Sequence, residues 1–417
     1  MTLLGMVAAA LLCWRLDAGS RAGAFGPLAD ALFVTPYWTA GTAVAHGLLP
    51  YRDFPLEYPP LSLPLFVLPA IAPFGGFDYD AYRIAFEIES AFGVMLLVPV
   101  VVATVATLGA GRWSTIAAVA LVAASPLLLG PLTISRYDVW PALVAAGATL
   151  AALRGRHRLA LALLAVAILV KVYPAFLVPV FLAYAWWTAG RREAIIAGAV
   201  GAAVAAVAFG PFVAAAGEPA LEPFLRPFAR PLQIESLGAS VLAALHNWLG
   251  TDIGRLSYTF ESFNLEGSLA SLAATLQTDG LVVVLVAVWL LVAARPMGPP
   301  QLVLGGATVV ALVVALGKVL SPQYVIWLVP AVAVVVPVLG AAPLVALGGI
   351  LALTEVYYPE KYGLYLIRFD PGAALAILER NLGLVVLAVM LVAATWWSGP
   401  ARPRRPDRPA DRAREAP

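Results

Sequence analysis

The residues of this chain that could carry out proton-transfer or phosphate chemistry are few, and they lie between long apolar stretches. A carboxylate can act as a base and take a proton from a hydroxyl group. The candidate bases are Asp30, Asp53 and Glu57. Arginine binds a phosphate through two parallel hydrogen bonds, and lysine binds it as a point charge. The candidate phosphate ligands are Arg136, Lys171, Arg52 and Lys318.

A third set of residues combines aromatic rings with side chains that hydrogen-bond to hydroxyl groups. Sugars are bound by this combination, since the ring covers an apolar face while fixed polar groups contact the hydroxyls. Taken singly, each residue is more often an anchor at a membrane interface, but their recurrence in alternate segments favours binding. The members are Tyr51, Tyr58, Asp138, Tyr173, Gln233, Glu235, Gln323, Tyr324 and Glu355.

Each candidate also has a purely structural interpretation, and the sequence leaves these alternatives open. Asp53 is equally suited to a local ion pair with Arg52, and Asp30 to a helix cap or loop. Glu57 is equally suited to a structural contact. Asp138 is suited either to an ion pair with Arg136 or to capping the helix that follows it.

Composition indicates that most of the surface faces lipid. Charged residues make up 12% of the chain, about half the share of a soluble domain, and the mean hydropathy is +0.89. The single Cys13 excludes a disulfide framework, and the three histidines have no metal-ligand spacing. Nothing in the sequence predicts a metal site or a nucleic-acid partner.

The apolar stretches predict about twelve membrane-spanning helices. The first, over residues 2–14, lacks the features of a cleaved signal peptide. Lys171 interrupts a further stretch and is followed by Tyr173 and Pro174, so two short helices meeting at Lys171 fit better than one long helix. The clear spans are 85–108, 114–130, 139–153, 193–216, 281–294, 301–316, 325–339, 343–353 and 382–397.

Arginine distribution predicts the orientation of these spans. By the positive-inside rule, both termini and the arginine-bearing loops are cytoplasmic. The candidate residues then all face out, on a multi-pass protein of the cell membrane, with long outer loops at about 17–82 and 217–279. Residues 1–398 form one transmembrane domain, and 399–417 form a disordered basic tail. The arginines in alternate loops are Arg112, Arg154, Arg156, Arg158, Arg191, Arg192 and Arg295.

The first outer loop is predicted to contain interfacial structure. Pro36 suits a helix start, residues 37–46 form one or two amphipathic turns, and Gly47 ends them. The prolines of residues 50–60 keep that stretch extended. Residues 61–71 are apolar but short, which favours a re-entrant or interfacial segment.

Six motifs occurring in order resemble the bacterial GT-C membrane glycosyltransferases, and most closely glycosyltransferase family 87, the polyprenyl-phosphate-mannose-dependent alpha-mannosyltransferases. The resemblance extends from about Tyr37 to Asn381. The motifs are PYRDFPLEYPP, RYDVWPAL, KVYPAFLVP, LQIESLGAS, SPQYVIWLVP and LTEVYYP.

The resemblance implies an all-α polytopic GT-C-like bundle with juxtamembrane helices and loops on its outer face. It further implies an inverting transfer of a sugar, mannose by default, from polyprenyl phosphate to a lipid or glycan acceptor outside the cytoplasm. Relatives carry an aspartate base about four residues before the tyrosine that matches Tyr37, where this chain has Phe33. The base is then Asp30, Asp53 or Glu57. No cofactor is required by the residues in view, although some GT-C enzymes use a divalent metal.

Two other functions are compatible with such a chain. A transporter or flippase for lipid-linked sugars also needs many helices, but its polar groups should lie near the midplane and on both faces. A catalytically inactive scaffold that binds glycolipid is the other alternative, and Phe33 is the observation that favours it.

Overall fold

A computed structural model describes residues 2–21, 34–72, 75–359 and 361–399 of the chain. The described part is almost entirely helical. The helices are α1 Thr2–Arg21, α2 Thr35–Ala45, α3 Leu63–Ile71, α4 Tyr79–Thr107, α5 Arg112–Leu129, α6 Leu132–Ser135, α7 Val139–Leu153, α8 His157–Val170, α9 Val178–Ala189, α10 Arg191–Ala216, α11 Glu222–Ala229, α12 Leu237–Leu249, α13 Ser268–Ala294, α14 Pro299–Leu316, α15 Leu328–Ala333, α16 Val336–Leu339, α17 Ala342–Tyr357, α18 Tyr362–Arg368 and α19 Pro371–Trp397.

Four short 3-10 turns precede helices and begin at or next to proline or glycine. Proline at the start of a helix costs no hydrogen bond, because the first N–H groups have no partner within the helix. These turns are Pro60–Ser62, Tyr173–Leu177, Glu218–Leu221 and Pro322–Trp327. Three other helices begin on side-chain caps, in which Asp78, Ser236 and Asp370 accept hydrogen bonds from the first backbone N–H groups.

Six helices of the described chain are long and apolar enough to cross a membrane. A seventh crossing is added if α17 and α18, which are bent relative to each other, form one broken span. The six helices are α4, α5, α10, α13, α14 and α19. Shorter apolar helices of 10–17 residues, including α7, α8 and α12, pack among them.

The predicted interruption at Lys171 is confirmed, and a second one is found that the sequence analysis missed. Helix α8 ends at Val170, Lys171 is extended, and the chain resumes as a 3-10 turn. The stretch predicted as one span over residues 325–339 is divided into Pro322–Trp327, α15 and α16. Pro337 lies at the start of α16, where it disfavours a continuation of the preceding helix.

Contacts between the segments that join the helices define two regions of the bundle. One end, here called the arginine-rich end, joins segments that the sequence analysis assigned to cytoplasmic loops. There the Arg158 side chain pairs with Glu193 at 2.8 Å, and Arg295 Nη1 donates to the Trp396 carbonyl at 2.9 Å. The opposite end, here called the polar end, contains Asp138, the break at Lys171 and the segment after α11.

A small antiparallel sheet at the polar end was not predicted. Strands β1 Leu232–Gln233, β2 Arg255–Thr259 and β3 Ser262–Glu266 pair in the order β1-β3-β2. The β2–β3 turn contains Phe260 and Glu261, both at positive φ, and neither residue type signals such a turn. Residues 268–279, which were assigned to an outer loop, are the first part of α13.

The region before α4 packs through a close helix contact that requires glycine. A Cβ atom on Gly41 in α2 would lie 1.9 Å from the backbone oxygen of Phe66 in α3. That oxygen also accepts a hydrogen bond from the Tyr82 hydroxyl of α4 at 2.9 Å. Three helices therefore meet at one carbonyl group.

We expect Gly41→Ala to destabilise the protein by about 1–3 kcal/mol, because the backbone of α3 must shift to accept the methyl group. The measurement is thermal unfolding of the detergent-solubilised protein. Gly210→Ala is the matched control, since Gly210 also lies in a helix but has open space around it. Equal melting temperatures for the two variants would show that α2 and α3 are not in close contact.

Candidate functional site

A cluster of aromatic rings lies around Tyr37, which is fully buried in α2. Phe66 and Phe86 stack on its ring, and Tyr58 and Tyr137 approach it at 5.6 and 5.4 Å between ring centroids. The cluster brings Tyr58 of the proline-rich first loop against Tyr137 at the start of α7. Motifs separated by about eighty residues in sequence thus meet in one place.

Arg136 extends this aromatic cluster with a positive charge. Its Nη1 atom donates to the Tyr37 hydroxyl at 3.3 Å, and its side chain also hydrogen-bonds Tyr358. Tyr358 follows α17, so Arg136 connects α2 with a segment more than two hundred residues further along. The predicted phosphate ligand Arg136 therefore lies between the first loop and the carboxyl-terminal part of the bundle.

Asp138 and Lys171 form an ion pair at the polar end. Lys171 Nζ lies 2.5 Å from Asp138 Oδ1, and the same oxygen accepts a hydrogen bond from Trp327 Nε1 at 2.7 Å. The Asp138 side chain is fully buried. Asp138 does not pair with Arg136 and makes no side-chain cap on α7, so both structural alternatives considered for it are wrong.

Aromatic rings surround the Lys171 ammonium group on several sides. The distances from Nζ to the ring centroids are 4.6 Å for Tyr137, 5.1 Å for Tyr324 and 5.3 Å for Trp327. Tyr173 and Tyr324 both stack on Trp327, at 4.0 and 4.1 Å between centroids. Lys171 lies at the break between α8 and the 3-10 turn, and its ammonium group meets these rings there.

Glu57 binds two arginines from α11 and the residue after it. Arg226 Nη1 donates to Glu57 Oε1 at 2.8 Å, and Arg230 Nη2 reaches both carboxylate oxygens at 3.2 Å. All three side chains are largely buried. Burial raises the pKa of Glu57, and the two arginines oppose that effect. Glu57 thus connects the first loop to the region between α10 and α12.

The segment of residues 232–236 places Gln233 and Glu235 inside the protein. Gln233 Nε2 donates to Ser321 Oγ at 2.8 Å and to Glu235 Oε2 at 3.2 Å. Ser321 in turn hydrogen-bonds the Tyr324 side chain. This connects the segment to the rings around Lys171.

Among the described acidic groups of the polar end that lie outside the spans, Glu235 has the largest shift in pKa. Burial raises its pKa to about 8, and the positive charge of Arg380 acts in the opposite direction. A carboxyl group in this state can exist with or without its proton near neutral pH. Such a group is suited to proton transfer or to hydrogen bonding with a hydroxyl group.

Several predicted site residues bond their side chains elsewhere or lie outside the described residues, although the Lys318 carbonyl accepts a hydrogen bond from the Gln233 N–H at 3.0 Å. Asp53 pairs with Arg52 at 2.9 Å and accepts from the Leu49 backbone, so it closes a local turn. Lys318 Nζ donates to the Phe228 carbonyl at 2.9 Å. Asp30 and Phe33 lie outside the described residues.

The remaining predicted ligands are partly or fully buried. Tyr51 is buried, and its hydroxyl donates to the Tyr58 carbonyl at 2.6 Å. Glu355 is half-buried, with its carboxylate against Gly130, where a Cβ atom would be 2.3 Å from it. Gln323 is half-buried beside Tyr324.

Sequence analysis missed several residues of the site, although most lie in the motifs it identified. Tyr137 and Trp327 stand in RYDVWPAL and SPQYVIWLVP, but their neighbours were chosen instead. Arg226 and Arg230, which bind Glu57, were not among the candidates. Arg380 carries a clearer signal, since it is a cation inside a long apolar helix, which usually marks a functional position.

The contacts join these residues into one continuous polar and aromatic site. It runs from Glu57 and Tyr58 through Tyr137 and Lys171 to the Gln233–Glu235 pair. Its cations can bind an anion, and its rings and amide group can bind a sugar. Its carboxyl groups can accept or donate a proton. Among the described residues, no three histidine, cysteine or acidic side chains are arranged to hold a metal ion.

Comparison with known proteins identifies the class to which this fold and site belong. The family model described as glycosyltransferase family 87 matches residues 56–322, well over half of the chain. The chain therefore belongs to glycosyltransferase family 87, as its motifs predict, and it is a multi-pass membrane protein. A search of curated proteins finds no match.

Solved structures of an oligosaccharyltransferase from Archaeoglobus fulgidus are also similar. The apo form has a TM-score of 0.46 and 14% identity, covering 97% of this chain and 57% of that one. The form tethered to an acceptor peptide containing the NVT sequon has a TM-score of 0.43 and 14% identity, covering 96% and 56%. The chain thus spans little more than half the length of these proteins.

We expect the buried Asp138–Lys171 pair to show strong energetic coupling. Lys171→Met leaves Asp138 buried without a counter-ion and should cost about 3–5 kcal/mol, whereas Lys171→Met with Asp138→Leu should cost less than the sum of the single changes. The measurement is a double-mutant cycle by thermal unfolding. The exposed Arg158–Glu193 pair is the control, with expected coupling of about 0–1 kcal/mol. Additive effects at Asp138 and Lys171 would contradict the ion pair.

The raised pKa of Glu235 predicts a pH-dependent difference between the wild type and Glu235→Gln. Its pKa rises from 4.5 to about 8 on folding, so the folded state keeps a proton that the unfolded state releases between these values. The free energy of unfolding of the wild type should therefore fall relative to Glu235→Gln as the pH rises from 4.5 to about 8, and level off above. If the difference in free energy of unfolding between the two proteins stays constant across that pH range, Glu235 is not buried.

Proposed function

We propose that this family 87 protein transfers a sugar, with mannose as the expected one, from a polyprenyl-phosphate donor to a lipid or glycan acceptor. Inversion at the sugar carbon follows from a direct displacement in which the phosphate leaves on one face while the acceptor hydroxyl attacks the other. The observation that carries this proposal is that Arg136 and Lys171, both predicted phosphate ligands, contact one aromatic cluster, Arg136 through the Tyr37 hydroxyl and Lys171 through the ring of Tyr137.

In this proposal the cations bind the donor phosphate. The phosphate is also the leaving group, so positive charge fixed beside it stabilises the negative charge that grows in the transition state. Lys171 has three N–H donors, of which Asp138 occupies one, so the pair is compatible with a second anionic partner. Asp138 then orients the ammonium group for that role.

The rings and polar groups of the polar end would hold the sugar. Tyr58, Tyr137 and Tyr324 offer aromatic faces, while Gln233 and Glu235 offer hydrogen-bonding groups close by. The polyprenyl chain would lie in lipid between the helices. In this proposal the polar groups lie at one end of the bundle rather than at its midplane, which favours an enzyme over a transporter.

The proposed orientation places the arginine-rich end in the cytoplasm of a cell membrane and the polar end outside. With the shorter apolar helices counted together with the six long ones, the alternating chain would cross about twelve times. Both described ends then lie with the arginine-rich loops, as the positive-inside rule requires. The acceptor reaches the polar end from outside.

The general base in this proposal is a carboxylate of the first loop, Asp30, Asp53 or Glu57. Asp53 has a partly exposed carboxylate, whereas Glu57 is nearer to the aromatic rings through its neighbour Tyr58. One base suffices, since phosphate leaves without needing a strong acid.

We expect the amide variant of the true base, among Asp30→Asn, Asp53→Asn and Glu57→Gln, to lower sugar transfer by about 10²–10⁴-fold while the protein still folds. The measurement is transfer of radiolabelled mannose from polyprenyl-phosphate mannose to extracted membrane lipids and glycans, with purified protein in proteoliposomes. Glu218→Gln, at an exposed carboxylate near the end of α10, is the control and should keep full activity. Full activity in all three first-loop variants would exclude a base in that loop.

A further inference from the structure

Arg380 is a fully buried cation in α19, beyond the part of the chain that the family model matches. Its Nη2 atom donates to the backbone carbonyl of Glu235 at 3.0 Å. Its guanidinium group lies over the ring of Tyr357, 5.5 Å from the centroid. The last long helix therefore contacts the segment that carries Gln233 and Glu235.

Holding that backbone segment does not by itself require a charge. Asn381, the next residue, donates to the same Glu235 carbonyl at 3.1 Å and also to Ser240 at 2.9 Å. The Tyr365 hydroxyl fixes the neighbouring carbonyl of Ile234 at 2.9 Å. Because burying a charge is far more costly than burying an amide, a cation at position 380 indicates a task that Asn381 cannot perform.

The side chains around Arg380 keep unused hydrogen-bonding capacity. Arg380 Nε and Nη1 are buried donors without a hydrogen-bond partner in the described chain. Glu235, Gln233 and Asn381 each carry a buried acceptor oxygen that also has no hydrogen-bond partner in the described chain. The buried Tyr357 hydroxyl has none either. Donors and acceptors together match hydroxyl groups, which can act as both.

The Glu235 carboxyl group has one principal cationic neighbour. Arg380 exerts the largest favourable charge interaction on it, and Arg136 a smaller one. The two groups are not in direct ion-pair contact, so the charge acts across a short gap. The other titratable groups facing Glu235 are Tyr357, Tyr358, Tyr362 and Tyr365.

We propose that Arg380 is a positioning residue for the sugar transfer, which holds the 232–236 segment in place and supplies a positive charge beside the Glu235 carboxyl group. This proposal rests on the function proposed above. Residues beyond the family match thus complete the site from the carboxyl-terminal helix.

The test compares Arg380→Gln, which removes the charge, with Asn381→Ala, which removes a donor to the same carbonyl and leaves the charge. Infrared spectra of the protein in nanodiscs are recorded over a range of pH. The carboxylic-acid band that is missing in Glu235→Gln is assigned to Glu235. In the wild type this band should disappear as the pH rises through about 8. Arg380→Gln should move the midpoint upward by about one pH unit or more, a tenfold change in proton affinity, and Arg380→Lys should restore it.

Asn381→Ala should leave the midpoint unchanged while lowering the melting temperature. The proposal is overturned if Arg380→Gln leaves the midpoint unchanged, or if Asn381→Ala moves it equally. Should Arg380→Gln fail to fold, Arg380→Gln with Glu235→Gln should recover folded protein, and failure of that double variant would overturn the role of the charge.

Transfer activity is measured on the same variants. The acidic limb of the pH profile should follow the infrared midpoint in the wild type, Arg380→Gln and Arg380→Lys. An infrared shift without any sugar transfer by the wild type would refute the proposed function and leave the Arg380–Glu235 interaction standing. If sugar transfer occurs but its pH profile does not follow the shift of the infrared midpoint, only the positioning role is overturned.

Discussion

The buried Asp138–Lys171 pair is the interaction on which the arrangement of the polar end depends. A carboxylate without exposure and an ammonium group enclosed by rings are each unfavourable alone, and their contact at 2.5 Å together with the Trp327 hydrogen bond makes both tolerable. Both residues stand at helix ends, since α8 ends just before Lys171 and α7 begins just after Asp138. The aromatic rings that pack on Lys171 come from two motifs, RYDVWPAL and SPQYVIWLVP, so the ion pair lies where these two motifs meet.

Much of this organisation was readable from the sequence, for identifiable reasons. The break at Lys171 was predicted because a lone cation followed closely by proline is incompatible with a continuous span. The motifs predicted the family, which the match over residues 56–322 shows. Contacts such as Glu57 with Arg226 were not predictable, because nothing in the local sequence selects a partner about 170 residues away. The hairpin of β2 and β3 was missed since its turn residues, Phe260 and Glu261, are atypical for positive φ.

The site draws on almost the full described length of the chain. Tyr37 of α2 is its first ring, and Arg380 and Asn381 of α19 hold one of its acidic segments. The family 87 model matches residues 56–322, so Tyr37 lies before the match and Arg380 and Asn381 lie after it. Side chains on both sides of the matched region therefore help to shape the site.

Arg230 contacts both the first loop and the turn between β2 and β3. One guanidinium group binds the Glu57 carboxylate and also donates to the Phe260 carbonyl in the hairpin turn at 2.8 Å. This single side chain therefore holds together three segments that are distant in sequence. Any displacement of the first loop must therefore either break the Arg230 contacts or move the hairpin together with the loop.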